Sequence, residues 1–320
     1  DYPPFCAPQD IYDYFARAAA GGKASHADWR ERVAAMPGET HERWSAQFDF
    51  DPSVLDPRLE GLRNELASTR PTEATRASSR RAINAIADVM PSLLAGSADL
   101  TPAVLPRADG ASPITRDDAS GSYLDSGIRE HAVAAVMNGL SMHGGFLRVG
   151  STFLWFTDYA RPAIRLGALM KVPSIHLLSH DSLTQGEDGP THQAIEHAAI
   201  FRATPNGYFM RPADAVETVE CWQAALGISD APVLMSLSRP DLPAIRTSAD
   251  ENLAARGAYV IHGDAGTRDV TILATGSEVA LAIDGARALE AEGIDACVVS
   301  MPCWELFEAQ DETYRNGVLG

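Results

Sequence analysis

Between Ser179 and Gln193 the chain reads Ser-His-Asp-Ser-Leu-Thr-Gln-Gly-Glu-Asp-Gly-Pro-Thr-His-Gln, which sets His180, His192, three acids and two glycines between a strand-like and a helix-like run. Imidazoles move protons near neutral pH, and loops on a rigid α/β scaffold are where such groups act. His131, His143, His176 and His197 fall in the same central stretch. His176 and His180 share a face if their strand extends that far, and His192 and Glu196 are one helical turn apart. That spacing matches no recognised zinc pattern and the acids suit a polyol equally, so no metal ligand is assigned. His197 reads as a helix-surface residue.

Arg129-Glu130-His131 opens a helix whose inner face is Ala132, Val133, Val136, Met137 and Leu140. Spacing alone favours a solvated first turn in which Glu130 complements the helix dipole. A catalytic reading needs Glu130 buried, where it can share a proton with a ligand nitrogen. Phe153, Phe156 and Tyr159 repeat every third residue along the next expected helix, which by default is a core stripe and otherwise a flat wall for an aromatic ring. Arg76, His180 and Arg239 each fall near an expected strand end or helix start. Singly each reads as a surface or ion-pair residue; together they make the basic pocket a phosphate needs. No P-loop and no Gly-x-Gly-x-x-Gly occurs.

These groups must be carried by alternating elements. From Pro71 the pattern predicts helix 74–90, strand 93–96, a polar loop over 108–122, helix 130–143, a strand near 146–149, helix 153–170, strand 174–179 and a helix from Thr191. Strands 208–210 and 233–236 flank helix 213–226. The fold class expected is α/β, a mostly parallel sheet covered by helices, with ligands at the carboxyl ends of its strands. Residues 1–70 read as a helical linker or the tail of an upstream domain, 71–246 as the sheet domain, and 247–320 as one βαβ unit. One such unit cannot bury its own sheet, so that domain is expected to be incomplete or to rely on a partner.

A chain of 320 residues with 45% hydrophobic and 22% charged residues suits two globular domains, and a net charge of −17 argues against nucleic-acid or anionic-membrane surfaces. Cys6, Cys221, Cys297 and Cys303 contain no Cys-x-x-Cys, which suggests reduced thiols and a cytoplasmic protein. No long apolar run and no basic-apolar leader occurs, and the start at Asp1 suggests a piece of a longer protein or a processed end.

The residues in order resemble the transketolase family: Ala74-Thr75-Arg76-Ala77-Ser78, Gly96-Ser97-Ala98-Asp99-Leu100, Gly127-Ile128-Arg129-Glu130, Ser151-Thr152-Phe153, the opening loop, Arg211-Pro212-Ala213-Asp214, Ser238-Arg239, Ala274-Thr275-Gly276-Ser277-Glu278 and Val299-Ser300-Met301-Pro302. The resemblance covers most of 71–320 and implies a thiamine diphosphate-binding type sheet, the pyrimidine-binding domain, followed by part of the family's C-terminal domain. It implies transfer of a two-carbon ketol unit from a ketose phosphate to an aldose phosphate. Glu130 matches the glutamate that bonds the aminopyrimidine; Phe153, Phe156 and Tyr159 match its aromatic pocket; Asp99 matches an acid near the thiazolium. His180 and His192 match histidines at the sugar oxygens, Asp188 the acid that reads a hydroxyl, and Arg76 and Arg239 the phosphate clamp. The family's diphosphate-binding domain, which holds Mg2+ or Ca2+, has no counterpart in these residues. The partner implied is therefore that domain, in a homodimer or a split-subunit complex.

Three departures stand out. Ala103 replaces a family serine, and a lost hydrogen bond to a charged group costs about 1.5–3 kcal/mol, so acceptor affinity or specificity is expected to differ. Leu183-Thr184-Gln185 replaces an apolar, Gly-containing triplet, and Pro240-Asp241 replaces Gln-Asn. Related thiamine diphosphate enzymes, of the deoxyxylulose phosphate synthase or ketoacid dehydrogenase β-chain type, and a non-catalytic module of the same fold remain as alternatives, the first two disfavoured by His180 and His192.

Overall fold

The computed structural model describes residues 3–48, 51–184 and 188–320, and the chain divides into two compact units, Asp1–Phe50 and Asp51–Gly320. The first holds helices α1 (Gln9–Ala34) and α2 (Gly38–Phe48). No residue of either is buried, and the pair meets through Trp29 and Trp44, whose ring centroids lie 6.0 Å apart. No described helix is long and apolar enough to cross a membrane.

The second unit begins with α3 (Asp56–Thr69) and α4 (Thr75–Ala87). Strands and helices then alternate: β1 (Leu93–Ser97), α5 (Thr101–Val104), β2 (Tyr123–Asp125), α6 (Glu130–His143), β3 (Leu147–Phe153), α7 (Thr157–Met170), β4 (Ser174–Ser179), α8 (His197–Arg202), β5 (Tyr208–Met210), α9 (Ala215–Gly227) and β6 (Pro232–Leu237). The strands form one parallel sheet in the order β2-β1-β3-β4-β6-β5. Every residue of β4 and β6 is buried, as both faces being covered requires. Helices α6, α7 and α8 share an apolar core with β4 and β6 through Ala134, Ile164, Leu178, Phe201 and Leu234. Helix α9 packs with α4 and α3, burying Leu59, Leu66, Ile83, Ile86 and Trp222. Residues 51–70, expected as part of a linker, thus sit in the same compact unit as the sheet.

Beyond β6 come β7 (Tyr259–His262), β8 (Val270–Ala274), α10 (Glu278–Ala291), β9 (Ala296–Ser300), α11 (Trp304–Glu308) and α12 (Glu312–Leu319). The expected βαβ unit is β8-α10-β9, and β7 adds an antiparallel strand on the far side of β9. Strand β8 forms an edge, with Leu273 half exposed.

Four expectations are corrected. Strand β3 runs on past Val149 to Phe153, so Phe153 ends a strand and Phe156 caps α7; the two do not lie on one helix. The extension hides in Gly150-Ser151-Thr152, whose small residues carry no periodicity; a Cβ on Gly150 would meet the Met137 side chain at 3.0 Å. The helix expected from Thr191 starts at His197, because Gly189 at φ +76° and Pro190 make a turn there, so His192 and Glu196 share no helix. His197 is buried at 2% exposure instead of lying on a helix surface, with Nε2 3.2 Å from the Trp155 carbonyl. Finally, β4 ends at Ser179 and His180 is left-handed at φ +63°, which breaks the strand alternation that would have set it beside His176.

Candidate active site

The parallel sheet changes winding direction between β1 and β3, and crevices at that point collect ligands. Asp99 follows β1 there, exposed and left-handed at φ +63°. Across the gap, β3 delivers Phe153 and β4 delivers His180, and Arg239 follows β6 after Ser238. Arg76 lies in the first turn of α4, and Glu130 is the first residue of α6. The sheet thus gathers at one edge residues scattered over more than half the chain.

Glu130 is 8% exposed, so the solvated first turn that spacing favoured is not what forms. A small cavity beside it is lined by Thr152, His176 and Leu178, among others. Thr152 Oγ1 is buried without a hydrogen-bond partner among the described residues, which leaves a polar group to be met in this region. His176 Nε2 lies 2.9 Å from Ser174 Oγ, and burial drives its pKa down to about 4, which makes it a neutral structural imidazole.

Phe153 and Phe156 stack at 5.4 Å and 13° between planes. The His180 ring lies 3.7 Å from that of Phe153, and His192 meets the edge of Phe156 at 5.2 Å. Tyr159, 6.3 Å from Phe156, is 56% exposed. The four rings of Phe153, Phe156, His180 and His192 form one wall, with Tyr159 at its rim.

His180 is where the electrostatics converge. Its Nδ1 lies 3.0 Å from Ser179 Oγ and its Nε2 3.7 Å from the Asp188 carboxylate. Burial, then the Arg76 cation, holds its pKa down at about 4, with Arg239 and His192 acting the same way and Asp188 opposing. The imidazole is therefore neutral at pH 7, able to donate one hydrogen bond and accept another. Arg239 pairs with Asp188, while Arg76 donates to the Ala103 carbonyl and keeps a buried Nε without a partner among the described residues. Burial, then Arg239, weakens the hold of Arg76 on its proton, as expected of two cations crowded together. Such a pair is stabilised by an anion.

Two features escaped the sequence reading. The orphan hydroxyl of Thr152 has no sequence signal, since only register shows which way it points. Asp158, Glu196 and His197 place one ligand atom each within 4.8 Å of one another, a grouping that needs the buried position of His197 to be seen. His197 Nε2 faces the Trp155 carbonyl, which can only accept, so this nitrogen carries a proton and is no metal ligand. Of the Leu183-Thr184-Gln185 departure, Gln185 lies outside the described residues, as does Glu187; Leu183 and Thr184 are exposed.

A buried carboxylate, an aromatic wall and two arginines are thus carried by one parallel α/β sheet domain. Residues 72–244 match the transketolase pyrimidine binding domain, and 257–320 match the transketolase-like C-terminal domain. The chain belongs to the transketolase family. It is 47% identical over 321 residues to the transketolase of Cereibacter sphaeroides, covering 100% of this chain and 48% of that protein. The solved transketolase of Pichia stipitis in complex with sedoheptulose-7-phosphate superposes with a TM-score of 0.86 at 33% identity, over 99% of this chain and 47% of that one. A split-gene transketolase, solved as an inactive β4 tetramer, matches 72% of each chain with a TM-score of 0.59 at 31% identity. The chain spans about half the length of the curated relatives it matches.

Proposed function

We propose that this chain supplies the pyrimidine-binding half of a transketolase site, acting on sugar phosphates with a diphosphate-binding domain of the same or another chain. The observation that carries this reading is the burial of Glu130 at the head of α6, where it lines a small cavity together with Thr152. The residues present fit the aminopyrimidine of thiamine diphosphate: a flat apolar wall, a carboxylate that can share a proton with a ring nitrogen, and the unmet hydroxyl of Thr152. When bound, that cofactor supplies the carbanion sink for ketol transfer. Its diphosphate and divalent metal are assigned to the partner domain.

The remaining roles belong to this chain's own side chains. Glu130 holds the proton that fixes the ring's tautomer. His180 donates to a sugar oxygen in its neutral form, and His192, in the same ring wall, exchanges a proton with the sugar. Asp188 accepts from a sugar hydroxyl; Arg76 and Arg239 clamp the phosphate. Asp99, which follows β1, would lie on the thiazolium side by its match to the family's acid. Ala103, in place of the family's serine, has no hydroxyl to offer the substrate, and its carbonyl accepts from Arg76, so one phosphate or hydroxyl contact is missing. The test is reconstitution: the chain mixed with a diphosphate-binding partner, thiamine diphosphate and magnesium should convert a ketose phosphate and an aldose phosphate to the exchanged pair. Reconstituted complex that binds cofactor without ketol transfer would favour the non-catalytic alternative.

A further inference from the structure

We propose that Arg211 is a positioning residue for the substrate end of this site: through Asp181 it holds the left-handed turn that aims His180, and it ties that turn to the C-terminal sheet region. The inference rests on the transketolase reading above.

His180 sits at φ +63°, a conformation uncommon for residues that carry a side chain. The residue that follows is anchored. Asp181 is buried, and its Oδ2 accepts from both Nε and Nη2 of Arg211 at 2.8 Å. Arg211 begins the segment after β5, and its guanidinium has a second set of partners. Nη1 donates to the Thr275 carbonyl at 2.8 Å and to the Glu278 carboxylate, and Nη2 lies 3.0 Å from Ser277 Oγ. Its backbone is fastened on the same side, with its N–H on the Pro302 carbonyl at 2.9 Å and its carbonyl accepting from the Gly276 amide at 3.1 Å.

The turn between β8 and α10 is shaped around this side chain. Gly276 has φ +58°, and a Cβ there would lie 2.8 Å from Cγ, Cζ and Nε of Arg211, so the turn admits only glycine while the guanidinium keeps its place. One planar fork thus links a residue adjacent to His180 with the start of α10. The C-terminal region acts on sugar binding by bracing the loop that carries His180.

In the complex reconstituted with a diphosphate-binding partner, Arg211→Met and Asp181→Asn should each raise KM for a ketose phosphate about ten-fold while kcat and thiamine diphosphate affinity change little. Arg211→Lys, which keeps the charge and loses the fork, should fall between. Gly276→Ala, which removes no charge, should act in the same direction and replaces Arg211→Met if that variant fails to fold. In a His180→Ala background these substitutions should raise KM no further, because their effect passes through that imidazole. An equal ten-fold rise in the His180→Ala background, or a parallel loss of cofactor affinity, would overturn the proposal. An unmodified complex without ketol transfer would instead overturn the transketolase reading itself.

Discussion

At the joint between the two sheets, Glu217 accepts from Tyr259 Oη at 2.7 Å, from Ser300 Oγ at 2.6 Å and from the Ala213 amide. Beside it, Asp214 accepts from the amides of Glu217, Ile245 and Arg246, and Glu220 receives both arms of the Arg246 guanidinium, at 2.9 and 3.0 Å. At the carboxyl edge of the parallel sheet, in contrast, Thr152 Oγ1, Arg76 Nε and Asp181 Oδ1 are buried without a partner among the described residues. Both regions bury charge, and the Asp214, Glu217 and Glu220 carboxylates at the joint are each met by several donors, whereas Asp181 at the edge keeps one oxygen unmet. Saturated networks fix a geometry, whereas buried polar atoms left unmet mark where another molecule completes the structure.

Glu130 separates the two regions most sharply. If the edge is a catalytic surface, Glu130→Gln in the reconstituted complex should lower kcat by about 10²–10⁴-fold without lowering the unfolding temperature. A structural carboxylate would show the reverse. At the joint, Arg246→Met leaves Glu220 buried and uncompensated, and should cost about 3–5 kcal/mol in denaturant unfolding with little effect on KM. A cost near zero would mean the network is less closed than its geometry shows.

Arg76→Met tests the edge again. It should weaken sugar phosphate binding by about 1.5–3 kcal/mol, roughly ten- to a hundred-fold in KM, and leave cofactor affinity alone. The smallest effect is in pH. The pKa of His180 is about 4 in the folded chain against 6.5 for the free group, so the unfolded chain takes up the proton first and stability falls as pH drops from 6.5 to 4. Glu217, raised by burial to about 7 from 4.5, works oppositely: the unfolded chain releases its proton first, and stability falls as pH rises from 4.5 to 7. The two slopes oppose each other between pH 4.5 and 6.5, so denaturant titrations of His180→Asn should show stability falling more steeply as pH rises through that window than in the unmodified chain.

Much of the scaffold was legible because longer elements carry their own period: α6, β4 and β9 stand where apolar spacing set them. Two short strands, β2 and β7, were not. Strand β2 spans only Tyr123–Asp125 after a polar loop, and β7 depends on β9 for its pairing. The aromatic wall was legible as residues but not as geometry, since β3 ends in small residues that hide its length. His180 and Asp188 were picked out by type, but the Asp181–Arg211 pair joins positions 30 apart in sequence, and nothing local predicts it. Register and long-range pairing are set by tertiary packing, which periodicity does not encode.

The central claim is that the carboxyl edge is half of a site. Isothermal titration calorimetry of thiamine diphosphate with magnesium, into this chain alone and into its mixture with a diphosphate-binding partner, tests it directly. The account predicts no measurable binding to the chain alone and saturable binding to the mixture, lost with Glu130→Ala. Equal affinity with and without the partner would contradict it.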